Sequence, residues 1–183
     1  MDNPVCPELN PRYTMDNFVV GDENSLAYNV AKSICQGIGT QSPYIFYGNT
    51  GVGKSHLLMA IGNEIFSSRP STRIIYVTSH LFQSQLEQAQ RQDELYQFID
   101  FYVNAEVLII DNLNLIAENK STHSSLFAIL NGISDKNGIV IAASDCHPAK
   151  IKGFVPRLKS RFCQGVATKL STPGIDLRFA IVE

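Results

Sequence analysis

The sequence contains no C-x-x-C pair and no histidine spacing of the kind that ligates zinc. Cys6, Cys35, Cys146 and Cys163 are scattered, as are His56, His80, His123 and His147. That distribution argues against a structural metal centre and fits a reducing compartment. An excess of basic residues is also missing: 15 Lys and Arg against 17 Asp and Glu give a formal charge of -2 and a pI near 6.1. The chain therefore has no global attraction to a polyanion, and any nucleic-acid contact must come from a local patch or from other parts of an assembly. No apolar run reaches 18 residues, and the first eleven residues are polar and proline-rich rather than signal-like. A soluble cytoplasmic protein with no membrane partner is expected. There is no internal repeat or low-complexity tract.

At 183 residues and 44% hydrophobic content, the chain has enough apolar side chains for the core of one domain. Residues 1–21 carry Pro4, Pro7, Pro11 and Gly21 without a sustained period, and read as an extended arm. The domain proper is expected over 22–183. Leu26, Val30 and Ile34, following the cap candidates Asp22 and Asn24, predict a first helix ending near Gly37. Strands are predicted over 44–47, 73–78, 107–111, 139–144 and 166–170. A helix carrying Leu57, Leu58, Ile61 and Ile65 follows the first, and one carrying Leu126, Ile129, Leu130 and Ile133 precedes the fourth. Between 79 and 103 lie two helical patterns, one with Phe82 and Leu86, the other with Leu95, Phe98, Ile99 and Tyr102. Short, nearly all-apolar strands alternating with helices imply an α/β fold built on a parallel sheet.

The first strand runs straight into Gly48-Asn49-Thr50-Gly51-Val52-Gly53-Lys54-Ser55, a complete G-x-x-x-x-G-K-[ST] pattern in the strand, turn, helix context that phosphate binding requires. The glycines let the backbone curl so that successive N–H groups face phosphate oxygens, and the helix from Lys54 adds its positive end. Lys54 is expected to reach the β and γ phosphates and Ser55 to offer its hydroxyl to Mg²⁺. A magnesium site also needs a carboxylate at a neighbouring strand end, which Asp111 supplies after four apolar residues. Asn112 beside it is an amide, unable to accept a proton from water, so slow turnover at best is expected. Asp145 closes the fourth strand, either approaching the γ phosphate or capping the turn before His147-Pro148. Arg157 and Arg161 lie four apart on a short helix, as an arginine finger or as a solvated basic face.

At these residues the sequence resembles the AAA+ ATPase domain of the DnaA family of bacterial replication initiators. The resemblance runs through residues 9–21 (LNPRYTMDNFVVG), then Gly53-Lys54-Ser55-His56-Leu57-Leu58, Tyr76-Val77-Thr78-Ser79, residues 108–111, Ala143-Ser144-Asp145 and residues 157–162. It is collinear from about residue 9 onward. It implies a three-layer αβα base domain with strand order 5-1-4-3-2. It also implies binding of ATP or ADP with Mg²⁺ by the loop and His56, and an arm whose Pro11, Tyr13 and Val20 lie against adenine. Asp145 would be the sensor of the γ phosphate, Arg161 an arginine finger acting on a neighbouring subunit's ATP, and 79–103 a helical insert that twists a filament. The family's helical lid would only be starting at Glu183, so a base domain lacking the lid and the DNA-reading helix-turn-helix is expected.

Two positions and one stretch depart from the family's pattern. Asn112 stands where a second acid is usual, Cys146 where an arginine is. In the stretch that carries DNA-touching cations in the family, this chain reads Glu118-Asn119-Lys120-Ser121-Thr122. Weak or only indirect contact with origin DNA is expected. Two partners fit: further copies of the chain in a head-to-tail oligomer, or a full-length DnaA-type initiator bound by a regulatory paralogue. A metabolite phosphotransferase shares the loop but has no use for the arm or the arginine-bearing helix.

Overall fold

The computed structural model describes residues 9–37, 42–175, 177 and 179. The first eight residues of the expected arm, Cys6 among them, and the chain end at Glu183, where a lid would start, lie outside the described residues. The elements in chain order are α1 (Ser25–Cys35), β1 (Tyr44–Tyr47), α2 (Lys54–Ser68), β2 (Ile74–Thr78), α3 (Ser79–Arg91) and α4 (Leu95–Val103). They continue with β3 (Val107–Asp111), α5 (Leu113–Glu118), α6 (His123–Asp135), β4 (Ile139–Ser144), α7 (Pro156–Cys163) and β5 (Val166–Lys169). The strands form one sheet in the order β2-β3-β4-β1-β5, and every pairing is parallel. Read from the other edge, this is the expected order 5-1-4-3-2.

Why the strands read as unbroken apolar runs follows from their two buried faces. Leu108, Ile110, Ile45 and Val77 enter the core that α3 to α7 cover. Val107, Ile109, Phe46 and Tyr76 enter the opposite one, which α1, α2 and the arm residues Met15 and Phe18 close. Successive side chains on a strand point to opposite faces, so a strand buried on both must be apolar throughout. The result is the three-layer αβα sandwich. The insert is two helices held by an aromatic cluster: Phe82, Phe98 and Tyr102 have ring centroids 5.0–5.4 Å apart.

Two local expectations need correction. The buried stripe of α1 is Ala27, Ala31 and Ile34, whereas Leu26 is 67% exposed. A spacing of four overshoots the helical repeat, so Leu26 rotates off the face that Ile34 occupies, and the small alanines meet α2 instead. Asn24 precedes α1 but makes no side-chain cap; its Oδ1 accepts from the Gly21 amide at 2.9 Å and its Nδ2 donates to the Val19 carbonyl at 3.0 Å. It ties the arm to the domain. The structure also adds α5, a six-residue helix too short to display a period, whose Leu113, Ile116 and Ala117 are buried.

The loop after β1 leaves the sheet through a narrow gap. The Gly48 amide donates to the Ser144 carbonyl at 3.1 Å, and the Leu170 amide to the Tyr47 carbonyl at 2.7 Å. A Cβ on Gly48 would collide with the Leu170 carbonyl oxygen. Gly48→Ala is expected to destabilise the domain by about 1–3 kcal/mol, because the obstacle is backbone that cannot rotate away. Urea unfolding checks this, and an unchanged midpoint would contradict the packing described.

Candidate functional site

The loop after β1, the carboxyl ends of β2 and β3, Asp145 just past β4 and the amino ends of α2 and α3 surround an open cleft of about 580 Å³. Gly51 and Gly53 adopt φ of +84° and +96°, left-handed conformations that a side chain resists, and these turn the backbone into the first turn of α2. Lys54 then points back over the loop. Its Nζ donates to the carbonyls of Gly48 at 2.6 Å and Asn49 at 2.9 Å, and to Asp145 Oδ1 at 3.0 Å. Those three bonds use all three ammonium protons. An incoming phosphate therefore competes with Asp145 for the same charge.

Asp111, the last residue of β3, is fixed by Tyr76 from the adjacent β2, whose hydroxyl donates to Oδ2 at 2.8 Å. Ser55 and Asp111 line the same cleft, and among the described residues no group of three or more His, Cys, Asp or Glu could cage a metal. One hydroxyl and one carboxylate fit Mg²⁺, which commonly takes its remaining ligands from water and substrate phosphates. Asn112 follows in a left-handed conformation, φ 63°, which asparagine tolerates better than most residues. Its carbonyl accepts from Ser79 Oγ at 2.6 Å.

The structure thus brings Thr50, Gly51, Gly53, Lys54, Ser55, His56, Asp111 and Asp145 to one cleft. Gly48 and Asn49 line a second hollow on the β5 side, and Val52 packs towards the core under α2. Pro11, Tyr13 and Val20 are exposed and do not line the phosphate end of the cleft. Tyr13 stands next to it, its ring centroid 4.9 Å from that of His56. Asp145 is not a turn cap: His147 takes that place, its Nδ1 accepting from the Ala149 amide at 3.2 Å. Arg157 is engaged within its own fold, donating to Ser124 Oγ at 3.0 Å with its guanidinium 5.0 Å from the Phe127 ring. Arg161 lies outside the cleft, and its guanidinium donates to Gln164 Oε1 at 3.3 Å.

Two residues that shape the site escape sequence reasoning. Tyr76 looks like any apolar strand residue until the register sets Thr78 beside Asp111 and Tyr76 beside Ile109. Asn114 sits on the unexpected α5, where its Oδ1 accepts from Ser144 Oγ at 2.8 Å and from the Asp145 amide at 2.9 Å. It fixes the tip of β4.

A parallel sheet in this order, with a lysine-bearing glycine loop at the end of β1 and a carboxylate at the end of β3, defines a phosphate-loop nucleotide-binding domain of the AAA+ type. The comparisons narrow that class. Residues 9–169 match the bacterial DnaA ATPase domain, and the chain belongs to that family. The chromosomal replication initiator protein DnaA of Chlorobaculum tepidum is 37% identical over 177 residues, covering 96% of this chain and 36% of that protein. Domain III of the Thermotoga maritima replication initiation protein DnaA superposes with a TM-score of 0.91 at 35% identity, covering 94% of this chain and 72% of that one. A replication initiator DnaA bound to AMPPCP and single-stranded DNA gives 0.84 at 33% identity, covering 91% of this chain and 52% of that one. The chain spans about two fifths of the length of the curated relatives it matches.

His56 joins the arm to the cleft. Its Nε2 lies 3.3 Å from the Thr14 carbonyl and 3.0 Å from Asn17 Oδ1. Burial lowers its pKa from 6.5, against an upward pull from the Thr14 carbonyl. The folded site therefore resists a proton that the unfolded chain accepts. Its contribution is complete above pH 6.5, declines as the pH falls below that value, and levels off once the folded site itself protonates. His56→Gln is expected to flatten this part of the acid dependence, read as urea midpoints at neutral and mildly acidic pH; parallel curves for the two proteins would contradict it.

Proposed function

We propose that the chain is the ATP-binding module of a DnaA-type replication initiator, in which bound nucleotide switches head-to-tail self-assembly. The Lys54–Asp145 pair carries this reading. A phosphate that takes the Lys54 ammonium releases the Asp145 carboxylate, so the tip of β4 responds to what the loop holds. The loop amides and Lys54 would bind the phosphates, and Gly48 to His56 would form their bed. Pro11, Tyr13 and Val20 would meet the adenine. Ser55 and Asp111 would hold Mg²⁺, which when bound neutralises the phosphate oxygens. Asn112 can orient a water through hydrogen bonds but cannot take its proton, which makes ATP a switch that is slowly spent.

Arg161, outside its own cleft, is suited to a neighbour's, and a contact between two different faces of one chain propagates as an open filament. The DnaA relatives, one of them bound to AMPPCP and single-stranded DNA, support the initiator assignment. A second reading, a regulator that binds a full-length DnaA-type initiator without touching DNA, is favoured by the segment after α5. There Lys120 is the one cation from Glu118 to Thr122, and it shares the stretch with an acid.

Sedimentation velocity with ATP, ADP or no nucleotide tests the leading reading. Association is expected with ATP alone and should weaken at least about tenfold in Arg161→Ala, the loss of a charged contact at a phosphate. Identical sedimentation in all three conditions would refute nucleotide-switched assembly. Retention of a full-length DnaA-type initiator on the immobilised chain, without self-association, would favour the second reading.

A further inference from the structure

The arm is held to α2 at two levels. Near its start, Leu9 lies over Gly62, where an added Cβ would stand 2.8 Å from a Leu9 methyl carbon. The next helical residue, Asn63, donates from Nδ2 to the Asn10 carbonyl at 2.8 Å and to the Tyr13 carbonyl at 2.7 Å. Both amide protons are spent on the arm. The two carbonyls belong to one turn, closed by the Tyr13 amide donating to Asn10 O at 3.2 Å. Two helical turns towards the phosphate loop, on the same face of α2, His56 meets Thr14 and Asn17. The Tyr13 ring lies between these anchors, partly exposed and beside His56, at the edge of the cleft.

We infer that Asn63 is a positioning residue for base recognition: by clamping the Asn10–Tyr13 turn to α2, it presents the Tyr13 ring to the base of a bound nucleotide. This rests on the reading of the cleft as an adenine-nucleotide site. One helix then carries both ends of the ligand's surroundings, with Lys54 at its first residue for phosphate and Asn63 nine residues later for the wall that meets the base. Without the clamp, the turn would have to be ordered at the moment of binding, and that entropy is charged only to ligands that use the wall. The loop's own bonds through Lys54 do not pass through Asn63. The inferred signature is a loss that depends on the base.

Asn63→Asp keeps the shape and removes both donors, setting a carboxylate against two carbonyls. Calorimetric titration with ATP and with inorganic tripolyphosphate, each with Mg²⁺, separates base from phosphate recognition. ATP affinity should fall about tenfold, the loss of two neutral hydrogen bonds, while tripolyphosphate affinity should change by less than about twofold. Equal losses for both ligands, or no change in either, would overturn the inference. Absence of ATP binding in the unmodified protein would overturn the cleft reading and this inference with it; ATP binding there, with no selective loss in the variant, overturns the inference alone. Should Asn63→Asp fail to fold, Asn63→Ala removes the donors without adding charge and is measured in the same way.

Discussion

Everything in the cleft is arranged around the three hydrogen bonds of one ammonium group. Lys54 binds two carbonyls of its own loop and one carboxylate from the end of β4, so its position depends on β1 and β4 being neighbours. The two kinds of partner differ in strength of hold. The carbonyls belong to a loop that the sheet pins on both sides, while the Asp145 side chain is 50% exposed. A carboxylate so open to water is weakly held even though the Lys54 side chain is only 10% exposed. A polyphosphate carrying several charges, met at once by loop amides and a helix end, outweighs that easily. The weak member of the triad is therefore the exchangeable one, and it lies at the tip of the strand next to the loop.

For Asp145 to report such an exchange, its backbone must stay fixed while its side chain changes partner. Asn114 does this, receiving the Asp145 amide and the Ser144 hydroxyl on a single oxygen. Tyr76 instead holds the Asp111 side chain directly, its hydroxyl donating to Oδ2. Each carboxylate at the mouth of the sheet thus has a neutral polar residue behind it, contributed by the element next door. A neutral support aims a carboxylate without cancelling its charge, which a lysine or arginine in the same position would do.

The five strands and the phosphate loop were legible because each rests on a local signal: apolar runs bounded by polar breaks, and a glycine pattern with few alternative meanings. The sheet order has no such signal and came only with the family resemblance. The α1 stripe was misread because a spacing of four is ambiguous over eleven residues, and the alanines that make close contact carry little hydrophobic signal. Helix α5 was invisible, since six residues are too few to establish a period. Asn114 went with it. Polar supports in general leave no trace in a pattern, because their identity is decided by which strand end lies within about 3 Å in the folded chain. Arg157 and Arg161 illustrate the same limit: spacing put them on one helix face, and only the folded chain separated the exposed Arg157, bound to Ser124 and Phe127, from the half-buried Arg161, bound to Gln164.

Asparagine recurs where the arm is fixed to the sandwich. Asn24 secures the end of the arm through Gly21 and Val19, Asn63 its beginning through Asn10 and Tyr13, and Asn17 bridges the middle through the Arg12 carbonyl at 2.6 Å and His56. The reason is chemical. A segment that is neither helix nor strand offers carbonyls and amides that no ladder pairs, and a short side chain carrying both a donor and an acceptor satisfies them at little entropic cost. Charged anchors would add a field beside a cleft already lined by Lys54, Asp111 and Asp145. The arm can then be held firmly by neutral bonds while the charges at the cleft remain free to respond to a ligand.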